Sequence, residues 1–281
     1  MILLGLAGLR AALAAEPEAV ARGAYLAAAA GCDECHTDSK HGGRPYAGGR
    51  AIETRFGTLV TPNITPDANT GIGRWRPADF TRAMRWGAAP DASHYLPAFP
   101  FPYYNRLSVR DLADLKAFLD SLPAVSQLNR AGGRAPLAAA RGAVVVLASQ
   151  FSGPWRPDPT KDALWNRGAY LVATVGRCGD CHTPRNLFGA PDSDRALAGA
   201  LAGHGGHAVP NITPDPETGI GRWSVDDIVA LLTDGQKPDF DFVGGDMGEI
   251  VNNTARLSDI DRRAIAVYLK SLPPIGSPKK D

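Results

Sequence analysis

Apolar positions three and four residues apart mark the clearest element of this chain: Leu112, Leu115, Leu119 and Leu122 line one face of a helix. Ser108 stands at its start with Asp111 three residues on, the spacing of a capping box with a shorter acid than the usual Glu, and Leu107 and Leu112 take the hydrophobic-staple positions. Pro123 stops the helix. The arrangement returns 150 residues later, with Leu257-Ser258 opening and Ser271-Leu272-Pro273 closing a second helix. Another helix is expected through Gly23 and Tyr25, and its counterpart through Gly168 and Tyr170. The glycine in each lets a second helix cross closely, with Phe118 and Tyr268 packing at the crossing. A helical stretch after Trp75 carries Met84. The chain therefore reads as mainly α.

Repetition extends beyond these helices. Arg22-Gly23-Ala24-Tyr25-Leu26 recurs as Arg167-Gly168-Ala169-Tyr170-Leu171, and Pro62 to Trp75 recurs as Pro210 to Trp223 with 12 of 14 positions identical. The offset grows from 145 to 150 along the repeat, so small insertions separate the copies. The expected organisation is one module at 16–123, a linker at 124–160, a second module at 161–275 and a tail at 276–281. The linker holds an apolar segment, Gly142 to Ala148, and a Pro-rich end, Gly153 to Pro159. It reads as a short helix and an extended strap filling the seam, or as a docking surface. Residues 1–15 are apolar and end in Ala12-Leu13-Ala14 before Glu16, the pattern of a secretory signal peptide without its charged start. They are too few for a standard transmembrane helix.

Length changes little in this picture, since 281 residues accommodate two ordinary domains. Charge excludes more: 30 Lys and Arg against 29 Asp and Glu, or 29 of each without the leader, give no reason to expect nucleic acid.

The chemistry lies in the cysteines. All four fall in two motifs, Cys32-Asp33-Glu34-Cys35-His36 and Cys178-Gly179-Asp180-Cys181-His182. C-x-x-C-H is the attachment pattern of c-type haem: the thiols add to the porphyrin vinyl groups and the histidine reaches the iron. A thioredoxin-like disulfide would need a βαβ pattern, which is missing, and a zinc site needs four ligands gathered together, whereas these motifs sit half a chain apart. Two haem c groups are expected, and with them export to the periplasm and a role in moving electrons.

His36 and His182 are the expected proximal ligands. Distal ligation decides whether an iron is open and shifts its potential. Met247, in Gly244-Gly245-Asp246-Met247-Gly248, is expected to ligate the second iron from a glycine-rich loop. The matching loop of the first module, His94 to Pro100, contains no methionine. His94 is the candidate there, with an open iron beneath Phe99 as the alternative, while Met84 reads as core. His41, His204 and His207 read as surface histidines. In the repeated block, the carbonyls of Pro62 and Pro210 are candidate acceptors for the proximal imidazoles. Arg74, Arg222, Trp75 and Trp223 are candidate donors to haem propionates.

The helix crossing resembles the class I cytochrome c fold, so two tandem class I-like domains from an internal duplication are expected. The PNITPD…TGIGRW block in both copies, the run from Trp165 to Asn186 and the run from Asp241 to Pro273 resemble di-haem and tri-haem c-type cytochromes that serve periplasmic alcohol, aldehyde and related dehydrogenases. The chain departs from that family's PAMP-like ligand motif at Phe99, in Pro97-Ala98-Phe99-Pro100, while Met247 stands where the second ligand belongs. The resemblance implies a dehydrogenase catalytic subunit as donor and a cytochrome, quinone or oxidase as acceptor, with only indirect contact with a membrane. A competing class is a haem enzyme, peroxidase-like or thiosulfate dehydrogenase-like, using an open or weakly ligated first haem.

Overall fold

The computed structural model describes residues 16–54, 57–91, 93–96, 98–130, 153–186, 190–203 and 206–278. The leader-like residues, the apolar linker segment and His204 lie outside them. In the first half, α1 (Pro17–Ala29) leads into a single turn, α2 (Cys32–Cys35). A small antiparallel hairpin of β1 (Ala51–Thr54) and β2 (Gly57–Val60) follows, with Ala51 opposite Val60. Then come α3 (Pro77–Trp86), the turn α4 (Phe101–Tyr104) and α5 (Val109–Ser121). The second half runs through α6 (Ala163–Tyr170), α7 (Gly179–His182), α8 (Val225–Asp234), α9 (Gly245–Thr254) and α10 (Asp259–Lys270). Among the described residues no helix is long and apolar enough to cross a membrane.

Each half is built on one crossing, α1 over α5 and α6 over α10. The apolar face of α5, Leu112, Leu115 and Leu119, is buried there, as are Ile265 and Leu269 of α10. Glycine sets the spacing. A Cβ on Gly23 would stand 1.9 Å from the Asp114 carbonyl oxygen and 2.7 Å from Cβ of Phe118. On Gly168 it would stand 1.9 Å from the Ala264 carbonyl oxygen and 2.8 Å from Cβ of Tyr268. Ion pairs flank the crossings, Arg22 Nε donating to Asp114 at 2.7 Å and Arg167 Nε to Asp261 at 2.8 Å.

The first insertion in the repeat has a structural location. The second half has one more residue than the first between its Arg-Gly-Ala-Tyr-Leu run and its first cysteine. There α6 continues into a π-turn, Leu171–Val175, which takes up an extra residue without unravelling the helix.

The capping boxes expected on α5 and α10 form only in part. Ser108 and Ser258 accept from the N–H groups of Asp111 and Asp261 at 3.0 and 3.3 Å. The acids do not return to their own caps. A tyrosine hydroxyl from the opposite half intervenes: Tyr25 accepts from the Ser258 N–H at 3.0 Å and donates to Asp261 at 2.6 Å. Tyr170 accepts from the Ser108 N–H at 3.2 Å and donates to Asp111. Short acids are not the obstacle, because Ser224 and Asp227 close a full box on α8. The crossed tyrosines tie the first helix of each half to the last helix of the other. Tyr25→Phe and Tyr170→Phe are each expected to cost about 1–2 kcal/mol, the worth of a hydrogen bond to a charged group plus the N–H it leaves unmet. Urea unfolding would read this, and unchanged midpoints would show that the hydroxyls contribute nothing.

Candidate haem-attachment sites

The helix turn at each motif places its two cysteines three residues apart, on one side of a single turn. That turn ends on the histidine, whose N–H returns to the first cysteine's carbonyl at 2.9 Å for His36 and 3.0 Å for His182. Each imidazole is then fixed by the repeated block. His36 Nδ1 lies 2.8 Å from the Pro62 carbonyl oxygen, and His182 Nδ1 lies 2.8 Å from that of Pro210. A carbonyl only accepts, so Nδ1 carries the proton and the Nε2 lone pair is left for a metal. Burial lowers the pKa of both rings, outweighing the opposing pull of the carbonyls, and so favours the neutral imidazole that iron requires.

What holds those carbonyls is the internal bonding of the block. Asn63 is buried, accepts from the Thr65 N–H at 2.9 Å, and donates to Thr70 at 3.0 Å and to the Val125 carbonyl at 2.7 Å. Asn211 repeats this with the Thr213 N–H at 2.8 Å, Thr218 at 3.0 Å and the Ile275 carbonyl at 2.6 Å. Asp67 and Asp215 close the following turns by accepting from the N–H groups of Thr70 and Thr218 at 2.7 and 2.6 Å. The block thus straps the chain beyond each last helix and presents a rigid acceptor to each histidine.

None of the four cysteines is paired in a disulfide. Burial pushes Cys32 up to about 12 and Cys178 and Cys181 up to about 11, and raises Cys35. The thiols are therefore protonated at neutral pH, the form that adds across a vinyl group. Among the described residues no cluster of three or more His, Cys, Asp and Glu is arranged to hold a bare metal ion. Two thiols on one turn beside a neutral, fixed imidazole form a donor set that fits covalently attached haem in each half.

The other candidates are placed as follows. Met247 is on the first turn of α9 rather than in an open loop, because the helix begins at Gly245 with Asp246 in its first turn. The backbone registers of the two halves align here: Tyr95 N–H bonds the Gly87 carbonyl at 2.7 Å, and Val243 N–H bonds that of Gly235 at 3.0 Å. Counting on from those bonds, Phe99 occupies the position of Met247. Its ring lies 5.7 Å from that of Tyr95 and 5.8 Å from that of Tyr104. His94 is exposed, and its bridge to Ala88 matches that of Phe242 to Gln236. Met84 is buried in the core with Phe80 and Leu115. Arg74 bonds Asn69 at 2.9 Å and Arg222 bonds Glu217 at 2.7 Å, each within its own surface turn. Trp75 and Trp223 pack against the core with part of each ring exposed. His41 pairs with Asp38 at 2.8 Å, and His207 is exposed.

Periodicity did not reveal how the halves meet. Asn253 at the end of α9 donates to Glu34 of the first motif at 2.8 Å, and Arg256 pairs with Asp33 at 2.9 Å. Arg50 hydrogen-bonds both the Glu34 carbonyl, at 2.7 Å, and Glu249 of α9, at 2.9 Å. Reciprocally, Tyr103 of α4 stands 3.6 Å from where a Cβ on Gly179 would be. The segment carrying Met247 thus packs on the opposite half's cysteine turn, and so does the matching segment of the first half.

These features define a haem-attachment protein, and comparison with known proteins agrees. A cytochrome c family model matches residues 20–123. A diheme cytochrome c-type protein of Cereibacter sphaeroides is 42% identical over 90% of this chain and 86% of its own length. The fructose dehydrogenase cytochrome subunit of Gluconobacter japonicus is 37% identical over 90% of this chain and 52% of its own length. The cytochrome c subunit of the quinone alcohol dehydrogenase of Komagataeibacter europaeus is 38% identical over 94% and 59%. The chain belongs to the c-type cytochromes. It spans little more than half the length of the two dehydrogenase subunits.

Proposed function

We propose that this chain is a two-haem electron relay made of one cytochrome c module used twice, with haem c on Cys32 and Cys35 and on Cys178 and Cys181. The observation that carries this reading is the identical seating of His36 and His182, each Nδ1 at 2.8 Å from a proline carbonyl of the repeated block. Haem supplies the one-electron chemistry. The protein's residues hold the imidazoles neutral, orient them and fasten the macrocycle through the thiols.

The donor is a dehydrogenase catalytic subunit, as the names of the relatives suggest, and the acceptor is a cytochrome, quinone or oxidase. Covalent haem attachment and the leader-like start favour the periplasm. Met247 is the distal ligand of the second haem, and Arg74, Arg222, Trp75 and Trp223 are the block's candidates for propionate contact. The first haem has no sulfur ligand. His94, the only histidine of its distal loop, ligates it if the loop folds inward when haem is bound. The first haem then has the lower potential, and electrons pass from the first half to the second.

Mass spectrometry of the mature protein is expected to show two covalent haems. Low-temperature EPR of the ferric form is expected to show one His/Met and one bis-histidine low-spin signal. A single haem would overturn the relay. A high-spin signal in place of the bis-histidine one would remove His94 as ligand and direct attention to peroxide and small anions as substrates.

A further inference from the structure

One turn differs between the halves in what it presents to solvent. In the second half the chain between α8 and α9 folds back on itself. The Lys237 N–H bonds the Asp241 carbonyl at 2.8 Å, the Phe240 N–H bonds the Lys237 carbonyl at 2.9 Å, and Asp239 accepts from the Asp241 N–H at 3.2 Å. The first half makes the same turn, with the Ala89 N–H on the Ser93 carbonyl at 2.9 Å and Asp91 accepting from the Ser93 N–H at 2.9 Å. By that register Phe240 and Phe242 stand where the first half has Ala92 and His94. The turn itself therefore needs neither phenylalanine.

Both residues face solvent, Phe240 being 80% and Phe242 58% exposed. Phe240 is also left-handed, with φ 64, a conformation that glycine adopts freely and a bulky side chain does not. An exposed aromatic held against its backbone preference points to function rather than to folding. The same stretch carries charge. Asp234, Asp239, Asp241, Asp246 and Glu249 are all exposed. Two cations meet them: Lys237, which pairs with Asp241 at 2.7 Å, and Arg50, which reaches Glu249 from the first half at 2.9 Å. The surface is left negative. The matching stretch of the first half, residues 86–101, has Asp91 as its one acid and no Lys or Arg.

We propose that the Phe240–Phe242 turn is the docking surface for the acceptor of the second haem, and that this acceptor is a protein with an apolar recess rimmed by Lys and Arg. The proposal rests on the relay reading above, in which electrons leave through the second half. Five residues separate Phe242 from Met247, so the turn stays within about 18 Å of chain from the proposed distal ligand. Chemistry narrows the occupant. A quinone binds in a concave pocket, whereas a projecting turn is convex and fits a recess on another protein. An anionic membrane attracts basic segments, and the carboxylates around this turn oppose it. A basic partner gains both the attraction of those carboxylates and two aromatic anchors at the contact.

The test uses the full chain and its Phe240→Gly and Phe240→Gly/Phe242→Ala variants. Intact mass first counts the haems, and a single haem in the wild type overturns the relay reading itself, and the surface with it. With two present, the reduced protein is mixed by stopped flow with an oxidised, lysine-rich soluble cytochrome c. The wild-type rate is expected to fall steeply with added salt. At low salt the double variant is expected to react several-fold more slowly, with F240G between the two. A water-soluble quinone should be reduced equally by all three proteins, and their haem spectra and potentials should agree. F240G is expected to melt at no lower temperature, since glycine takes the left-handed backbone without strain. Equal rates with the cytochrome, or a rate that rises with salt, would overturn the proposal. So would altered haem spectra or an equal loss of quinone reduction in the variants, which would place the rings against the haem. Cosedimentation with phosphatidylglycerol vesicles that the double variant loses would make the turn a membrane contact instead.

Discussion

Gly23→Ala is expected to destabilise the first half by about 3 kcal/mol, although alanine is normally the better helix former. In an open helix the change would gain up to about 1 kcal/mol. Here the added Cβ would lie 1.9 Å from the Asp114 carbonyl oxygen, a backbone atom in the middle of α5 that cannot move without its helix. Overpacking typically costs about 1–3 kcal/mol and occasionally more, and with both neighbours at this contact being main-chain or Cβ atoms, we expect the upper end. Gly168→Ala meets the Ala264 carbonyl oxygen at the same distance and should behave alike. Gly248 provides the contrast. It sits inside α9 with its nearest neighbour 4.0 Å from an added Cβ, so Gly248→Ala should be neutral or stabilising by up to about 1 kcal/mol. Thermal unfolding followed by circular dichroism distinguishes the two, and a G23A protein as stable as wild type would mean that α1 and α5 have slack at their crossing.

The same crossing shows why part of this molecule was legible in its sequence. Gly23 and Gly168 stand at matching places in a visible repeat, each facing a helix whose leucine spacing is plain, so a close approach followed from local pattern alone. Pro62 and Pro210 were legible for a similar reason: a block repeated almost unchanged beside each C-x-x-C-H must do the same thing twice. Other features depend on contacts between distant segments, which no periodicity encodes. Tyr25 and Ser258 are 233 residues apart, and their bond diverts the Asp261 carboxylate that spacing alone assigns to its own cap. Arg74 and Arg222 also bond within their own surface turns, to Asn69 and Glu217, local partners that the propionate reading of the sequence did not include. The loop read around Met247 is a helix start, because its glycines come before the helix and in its first turn. The β1–β2 hairpin went unread because it is four residues a strand and lies in a stretch with no clear alternation.

Met247→Leu is expected to have the largest effect on redox behaviour. Leucine nearly preserves volume, so the fold should lose less than about 1.5 kcal/mol. The thioether, however, is removed, and with it the soft donor that, on the proposed ligation, favours ferrous iron. Axial ligation shifts haem potentials over roughly 0.8 V, so the second haem should fall by on the order of 0.1 V or more. Its His/Met signature in the near-infrared should vanish while the first haem stays unchanged. Met84→Leu should alter neither haem, because Met84 is buried in the core with Phe80 and Leu115. The converse change tests the register of the two halves: Phe99 stands where Met247 does, so Phe99→Met should create a second thioether-ligated haem and raise the first potential. Tyr95 and Tyr104, whose rings lie 5.7 and 5.8 Å from that of Phe99, line the space the new side chain would enter. A near-infrared thioether band that survives in M247L would show that the sulfur comes from elsewhere, and Met84 would become the ligand to test.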